Sequence, residues 1–436
     1  MTDTLSHRRV LKIAVPVVIS NATVPILGAV DTGVVGQLGE AAPLGAVGIG
    51  AIILAAFYWL FGFLRMGTTG MTAQAIGAGD DGERVALLIR ALLIGAGAGV
   101  LLIAGQSALF AGAFWLSPAT PEVEGLARTY LSIRIWSAPA AIALYGITGW
   151  LIAQERTTEV LILQILMNGV NIALDLVFVL GLGFGVEGVA VASLIAEWSG
   201  LALGLWFCRR AFHGSAWSDT ARILDPARLR QMATVNGDIL IRSVLLQGTF
   251  LTFVFQSADV GTVTLAANQV LLQFLYVTSY ALDGFAFAAE ALVGQAFGAR
   301  NPATLRRAVW LAGLWCVGVS AGIALLYWFA GPPLIDLLTT APDVRETARD
   351  FLPWVVLSPL LGVWPFLLDG VFIGATRTRD MRNMMVLSTA VYGVALLALA
   401  PVFGNHGLWM ALMISFIARG ATLAWRYPDL ERAADR

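Results

Sequence analysis

Charged residues are scarce in this chain of 436 residues: they make up 13% of it, whereas hydrophobic residues make up 58%. A typical soluble domain carries about 25% charged residues. A water-soluble protein of this length could not bury so much apolar surface. The composition therefore excludes an ordinary soluble domain and predicts that most of the chain is surrounded by lipid.

Residue types that commonly bind metals are also rare. The chain has two cysteines, Cys208 and Cys316, and three histidines that stand far apart. This spacing indicates neither a disulfide framework nor a metal cluster. The short loops hold no grouping typical of a catalytic site, and no phosphate-binding lysine motif for direct use of ATP is present. We expect no enzyme, no resident cofactor or metal and, at a net charge of −1, no nucleic-acid partner.

Twelve apolar segments are long enough to cross the hydrocarbon core of a membrane, which takes about 20 residues. They are predicted at 12–36, 45–76, 86–112, 129–153, 159–181, 188–208, 232–257, 264–294, 307–331, 351–374, 384–402 and 406–425. The fold class predicted from them is an all-α integral membrane protein.

The two halves of the chain repeat one pattern with a constant offset of about half its length. Residues 74–78 (QAIGA), for example, recur at 295–299 as QAFGA. Many membrane carriers consist of two such halves around a central cavity. We therefore predict two six-helix repeats around a cavity. The expected parts are an N-terminal lobe, a cytoplasmic linker and a C-terminal lobe, at 1–208, 209–231 and 232–436.

The basic residues predict the orientation in the membrane. Twenty of them fall at the termini and in the even-numbered loops, against three in the odd-numbered loops: Arg128, Arg345 and Arg349. Because loops rich in Lys and Arg stay in the cytoplasm, both termini are expected to be cytoplasmic. The protein itself is expected in the cell (inner) membrane. Equivalent helices then run in the same direction, so that the two repeats are parallel.

Asp31 and Asp175 are carboxylates that fall inside predicted spans of the first half. A charged group inside the bilayer costs between about 2.5 and 17 kcal/mol, so it tends to face a cavity or a partner. Asn168, Asn171 and Asp175 share one helical face, and Ser193 is expected at the same depth. These groups predict a proton or cation site. The alternative is that they only tie spans 1, 5 and 6 together by hydrogen bonds.

The second half does not copy this site, because Thr252 stands at the position of Asp31 and Val394 lies near that of Asp175. Other charged residues are expected nearer the cytoplasm. Candidates for the cavity wall or an inner gate are Arg65, Arg242, Asp283 and Asp369. They would close the inner side of the cavity by ion pairs or form a static ion-pair network.

Four stretches of sequence resemble the multidrug and toxic compound extrusion (MATE) family, in particular its DinF-like branch. They lie at 29–32 (AVDT), 62–70 (GFLRMGTTG), 171–183 and 368–377. The resemblance implies an antiporter that exports cationic or amphipathic compounds while H+ or Na+ enters.

The resemblance also implies residue roles. The family's first-half cation site corresponds to Asp31, Asn171, Asp175 and Ser193, and the bend of the first span to Pro16. Asp369 resembles an acid of the NorM branch, but 242–247 offers no second acid, which favours proton coupling through the first half. The expected partners are organic cations and membrane lipid, and the expected state is a monomer. A flippase for lipid-linked precursors is the alternative function.

Overall fold

The computed structural model describes residues 5–37, 41–116 and 120–435, without the side chains of Val24, Ile26, Ala29, Asp31 and Thr32. Every regular element in these ranges is helical. The α-helices are α1 His7–Gly36, α2 Ala41–Trp59, α3 Gly62–Gly77, α4 Asp81–Leu116, α5 Pro121–Arg134, α6 Ala138–Ala153, α7 Thr157–Asp175, α8 Val186–Cys208, α9 Thr220–Ile223, α10 Pro226–Val260, α11 Thr262–Gly298, α12 Pro302–Leu338, α13 Pro342–Gly374, α14 Thr378–Phe403 and α15 Asn405–Ala433.

Eleven helical segments of the described part are long and apolar enough to cross a membrane. They coincide one to one with the second to twelfth predicted spans, and α1 occupies the position of the first. The predicted all-α membrane class is confirmed. Two predicted spans are each broken by a turn. A turn at Leu60 and Phe61 separates α2 from α3, and the 3-10 turn Ile135–Ser137 separates α5 from α6.

The internal repeat extends to the backbone conformation of the loops. Outside helices, left-handed residues with positive φ are costly unless a tight turn requires them. Six such residues form three pairs, each with the same offset as the repeated motif: Gly79 (72°) with Arg300 (52°), Glu155 (60°) with Thr376 (49°), and Gly183 (70°) with Gly404 (55°). The duplication read from the sequence therefore extends to positive φ at three equivalent positions between helices.

Contacts between helices divide the chain into two compact units. The second-half unit comprises the chain up to Val18, Ala73–Gly79 and everything from Arg230 on, and the first-half unit comprises Ile19–Thr72 and Asp80–Leu229. This division differs from the predicted lobes because the start of α1 and the end of α3 group with the second half.

Glycine contacts explain why the end of α3 groups with the second half. A Cβ at Gly77 would lie 2.0 Å from the carbonyl oxygen of Gln295, and a Cβ at Gly298 would lie 2.1 Å from that of Gln74. Only glycine permits such a close approach of two backbones. The four residues belong to the repeated motif at 74–78 and 295–299, so the two copies of the motif pack directly on each other.

A second glycine contact occurs once in each unit. A Cβ at Gly149 would lie 2.3 Å from the carbonyl oxygen of Arg65, and one at Gly370 would lie 2.5 Å from that of Ala286. The two glycines, and likewise the two residues that they approach, are related by the offset of the repeat. Small residues at helix crossings let membrane helices pack closely, and here the duplication preserves that packing.

The connector between α8 and α10 (209–225) is bound to the start of α4. Arg90 donates from Nη1 to Glu83 Oε1 at 2.6 Å, from Nε to the Ile223 carbonyl at 2.8 Å and from Nη2 to the Arg222 carbonyl at 2.6 Å. Arg222 in turn donates to Asp80 Oδ1 at 2.6 Å. These bonds explain why the connector belongs to the first-half unit.

The same contacts set the protonation of Asp80, which lies between the membrane helices α3 and α4. Partial burial alone would raise its pKa. The hydrogen bonds from the Glu83 amide and the Arg222 guanidinium outweigh this effect and hold the pKa below its ordinary value. The bond to Asp80 correspondingly raises the pKa of Arg222. The pair is therefore charged at neutral pH.

Candidate functional site

A buried polar row runs along α7, as the sequence predicted. Asn168, Asn171 and Asp175 share one face of the helix, and Asn171 and Asp175 are 2% and 0% exposed. Gln164, one turn before Asn168, donates from Nε2 to its Oδ1 at 3.0 Å. The row thus begins at Gln164, which the sequence analysis did not include, and ends at Asp175.

Hydrogen bonds join this row to two neighbouring helices. Asn168 Nδ2 donates to Thr23 Oγ1 on α1 at 2.9 Å. Asn171 Nδ2 donates to Ser193 Oγ on α8 at 3.2 Å, and this bond is buried. The structure therefore brings together Asn171 and Ser193, two of the predicted site residues, and connects α1, α7 and α8 through side chains.

Asp175 lies where α7 changes from an α-helix to a wider turn. The segment Leu176–Gly181 is π-helical, and Leu182 N donates to the Val177 carbonyl at 2.9 Å. Single π-helical turns are rare and occur frequently at functional sites. Burial of an ionised carboxylate is costly without compensation. A fully buried acid beside a π-helical turn is therefore an unusual arrangement for a purely structural residue.

Asp31 and Pro16 both lie in α1, which runs without interruption from His7 to Gly36. The Asp31 side chain lies outside the described residues, so its pairing with Asp175 stays a prediction. The helix continues one turn beyond Asp31 to Val34 and Val35, and both belong to the same apolar cluster as Val179 of the π-helical turn. Pro16 is half-buried, and its role as a hinge also stays a prediction.

A second polar network of the first-half unit was missed by the sequence analysis. Arg134 at the end of α5 donates to Glu197 of α8 at 3.0 Å, and both are largely buried. The Tyr58 hydroxyl lies 3.3 Å from Ser137 Oγ and donates to the Arg134 carbonyl at 3.3 Å. The available signal was Glu197 itself, an acid inside a predicted span and one helical turn after Ser193.

Three charged side chains meet inside the second-half unit. Arg242 of α10 and Arg419 of α15 both donate to Asp369 Oδ2 of α13, the latter at 2.8 Å. The sequence predicted Arg242 and Asp369 but missed Arg419, whose signal was a lone charge inside the twelfth span. Asp283 of α11 is half-buried, and Arg65 is half-buried in the other unit. A gating role for these residues stays a prediction.

Comparison with known proteins identifies relatives that match nearly the whole chain. Residues 16–177 and 239–399 each match the MatE family model. DNA damage-inducible protein F of Escherichia coli is 39% identical over 427 residues, which cover 97% of this chain and 93% of that protein. A probable multidrug resistance protein NorM of Synechocystis is 30% identical over 453 residues, which cover 96% and 94% of the two chains.

Solved structures share the fold at lower sequence identity. The Vibrio cholerae MATE transporter VcmN in its bent form is 21% identical, with a TM-score of 0.88 over 98% of each chain. A MOP superfamily transporter from Pyrococcus furiosus is 19% identical, with a TM-score of 0.84 over 98% of this chain and 96% of that one. The match of one family model to each half agrees with the internal repeat.

Proposed function

This chain belongs to the MatE family of multidrug and toxic compound efflux transporters, and we propose that it is a secondary antiporter in which protons drive export through the first half. Its cargo is proposed to be cationic or amphipathic small molecules. The observation that carries the proposal is the buried row on α7 that ends at the wholly buried Asp175.

The first step of the argument is the cost of a buried carboxylate. An ionised carboxylate out of bulk water is expensive, and protonation removes its charge and most of that cost. A change in the exposure of Asp175 therefore changes its tendency to hold a proton. Such a residue takes up a proton where it meets the more acidic side and releases it on the other side.

The second step assigns Asp31 to the same site. Val34 and Val35 follow Asp31 by one turn of α1, and Val179 follows Asp175 by about one turn; all three valines pack in one apolar cluster. We therefore propose that Asp31 acts in the same proton site as Asp175. Two adjoining carboxylates ionise together only at a cost, so the pair would share one proton.

The third step concerns the second half, where the equivalent chemistry is absent. At the offset of the repeat, Tyr392 and Leu396 stand where the first half has Asn171 and Asp175, and both are buried. The acid of the second half, Asp369, already accepts hydrogen bonds from two guanidiniums. A cation bound there would be repelled by Arg419, which supports coupling through the first half.

The fourth step is the movement that alternates access. The chain of α1 passes from the second-half unit to the first-half unit after Val18, two residues beyond Pro16. Proline removes one backbone hydrogen bond of a helix, so bending costs less there. We propose that α1 bends at Pro16 and that protonation of Asp31 and Asp175 favours the bent form, which releases the cargo outward.

Efflux from proteoliposomes tests this mechanism, with a fluorescent organic cation such as ethidium as cargo. Asp31→Asn and Asp175→Asn should each abolish efflux driven by a pH gradient while the protein remains monodisperse. Asp343→Asn, at an exposed acid in the first turn of α13, is the matched control and should transport normally. Wild-type rates in either site variant would refute the assignment, and efflux driven only by a sodium gradient would replace H+ with Na+.

The cell membrane, cytoplasmic termini and a monomeric state complete the proposal. The excess of arginine in the loops expected to be cytoplasmic supports the orientation. A fluorescent protein fused to the C-terminus should then fluoresce in cells, because such fusions fold in the cytoplasm. Absence of fluorescence, despite full-length membrane insertion, would reverse the proposed orientation.

A flippase for lipid-linked precursors is the second candidate, and the buried guanidiniums of Arg242 and Arg419 are the observation in its favour. Asp369 offsets one of these two charges, whereas a pyrophosphate head group carries more than one negative charge. We therefore rank it below the antiporter. Saturable translocation of a fluorescent lipid pyrophosphate in the same vesicles, without cation efflux, would reverse that order.

A further inference from the structure

Exposed arginines and tryptophans lie together where the connector leaves α8. Arg209 and Arg210 directly follow that helix and begin a 3-10 turn, and both are exposed. Trp206, in the last turn of α8, is 55% exposed. Trp217, which is 45% exposed, lies in the next 3-10 turn, and its ring meets that of Phe212 edge to face with the centroids 6.4 Å apart. We call Arg209, Arg210, Trp206 and Trp217 the connector patch.

The end of α8 fixes the position of the Arg209 guanidinium. Carbonyl groups in the last turn of a helix have no partner within the helix. Arg209 Nη1 donates to the Trp206 carbonyl at 2.9 Å, and its Cζ lies 4.1 Å from the centroid of the Trp206 ring. Arg156 Nη2 donates to the next carbonyl, that of Phe207, at 3.0 Å. The Arg209 guanidinium is therefore held against an exposed indole.

The positive charge of the connector patch is not balanced by ion pairs. Within the part of the chain that the structure describes, Arg209 makes only the one hydrogen bond, and the Arg210 side chain makes no hydrogen bond or ion pair. Asp219 on the connector and Glu159 on α7 are each paired with another arginine. Since a guanidinium has five N–H donors, most donors of the two arginines are available to an anion.

The connector patch is formed before any ligand binds. Arg90 of α4 fastens the far end of the connector through two backbone carbonyls. Ala211, between the arginines and Phe212, is 2% exposed and anchors the near end. Groups that are already ordered lose little conformational freedom on binding. The patch therefore differs from a flexible basic tail, whose side chains must be ordered by the ligand.

We propose that the connector patch binds the head group of an anionic phospholipid. The phosphate oxygens accept charge-assisted hydrogen bonds from Arg209 and Arg210. The adjoining hydrocarbon packs against Trp206 and Trp217, because indole rings suit the boundary between head groups and hydrocarbon. A soluble anion would leave both indoles without contact, which favours a lipid. The choice of the cytoplasmic leaflet rests on the proposed orientation, whereas the binding itself does not.

The two arginines set the size of the expected preference. One arginine near an anionic membrane surface strengthens binding about fivefold, so two strengthen it about thirtyfold. In a bilayer with one part phosphatidylglycerol to four parts phosphatidylcholine, a thirtyfold preference fills the patch with the anionic lipid to about 90%. Without any preference the occupancy equals the bulk share, about 20%. The two cases are far enough apart to be measured.

Tryptophan fluorescence of the full-length protein in vesicles of this composition measures the occupancy. Bromine atoms on the acyl chains quench indoles that they touch. The chain has 14 tryptophans, so the signal of a Trp206→Phe variant is subtracted to leave that of Trp206. Brominated phosphatidylglycerol should give about 90% of the quenching obtained when both lipids are brominated. A value near the bulk share of about 20% would overturn the proposal.

A double substitution and a matched control assign the effect to the two arginines. Arg209→Gln combined with Arg210→Gln should lower the phosphatidylglycerol share of the quenching to about 20%. Arg379→Gln, at an exposed arginine in the first turn of α14, should leave it near about 90%. An unchanged share in the double variant, or an equal fall in the control, would overturn the proposal.

Further variants keep the test decisive if the double variant does not fold. Arg210→Gln alone removes a side chain without contacts in the described chain, and the share should fall to about 60%; no change would count against the site. Asp175→Asn should keep the wild-type share even though it loses proton-driven efflux. Because the vesicles hold the anionic lipid in both leaflets, neither a failed antiport assignment nor a reversed orientation alters the result.

Discussion

Replacement of Arg90 by methionine should release the connector from the first-half unit. The Arg90 side chain is 1% exposed and pairs with the similarly buried Glu83. It also donates to the carbonyl oxygens of Arg222 and Ile223 at the end of α9. Methionine fills similar space but provides none of these donors. After the substitution, Glu83 keeps only the weaker contact with Arg228 at 3.3 Å.

The magnitude follows from the loss of one partner of a buried ion pair, which typically costs about 3–5 kcal/mol. A free-energy difference of about 1.4 kcal/mol changes an equilibrium tenfold. The undocked population of the connector should therefore rise by about two to three and a half orders of magnitude.

Limited trypsin digestion of the detergent-solubilised protein measures this population. When opening is faster than cleavage, the cleavage rate follows the population of the open state. The informative bond follows Arg222, because its carbonyl accepts a hydrogen bond from Arg90, and mass spectrometry identifies the fragment. Cleavage there should accelerate in Arg90→Met by at least a hundredfold, or until opening itself becomes limiting.

The matched control is Arg128→Met, which removes an exposed arginine paired with Glu124 one turn away. Such surface pairs contribute about 0–1 kcal/mol, so cleavage after Arg222 should stay at the wild-type rate. Unchanged cleavage in Arg90→Met, with the protein still folded, would refute the reasoning that these bonds hold the connector.

Three further predictions follow from single contacts. Asp80→Asn should increase connector cleavage at neutral pH. The folded-state pKa of Asp80 is lowered, so the stabilisation that its carboxylate gives the docked connector is present above the ordinary pKa of 3.8 and is lost as the pH falls through the lowered pKa. At the lowest pH, pepsin should therefore cleave the wild type and the variant alike. Gly298→Val should lower the melting temperature by the equivalent of about 1–3 kcal/mol, because its Cβ would lie 2.1 Å from the Gln74 carbonyl oxygen. The control Gly318→Ala, with open space around its Cβ, should leave the melting temperature unchanged. Equal melting temperatures of the two variants would contradict the close contact at Gly298. Asn171→Leu removes one hydrogen bond inside the membrane, worth about 0.6 kcal/mol on average, so melting should change little while proton-driven efflux falls; normal efflux would assign Asn171 a packing role only.

The spans and the duplication were predictable because both depend on local patterns. Long apolar runs between polar loops fix where a helix can cross a membrane. The breaks within two spans were not predicted, although Gly62 follows the turn at Leu60 and Phe61, and Pro139 follows the turn at Ile135–Ser137. Glycine and proline commonly interrupt helices, so both breaks had a local signal that the long apolar runs obscured.

The candidate site was predictable to the extent that it lies on one helix. The period of 3.6 residues places Asn168, Asn171 and Asp175 on one face whatever the rest of the fold. The partners of these residues on other helices could not be predicted, because sequence spacing does not encode which helices are neighbours. Arg419 lies 50 residues from Asp369 and Glu197 lies 63 residues from Arg134, so these pairs emerged only from the structure.

The paired left-handed turns have a practical consequence for engineering. One backbone conformation accepts glycine at 79 and arginine at 300, and likewise glutamate at 155 and threonine at 376. Each copy of a loop therefore contains a residue that is compatible with the backbone conformation of the other copy, and this residue can guide a substitution there. In a protein made of two related halves, comparison of one half with the other thus suggests substitutions that the backbone can accept.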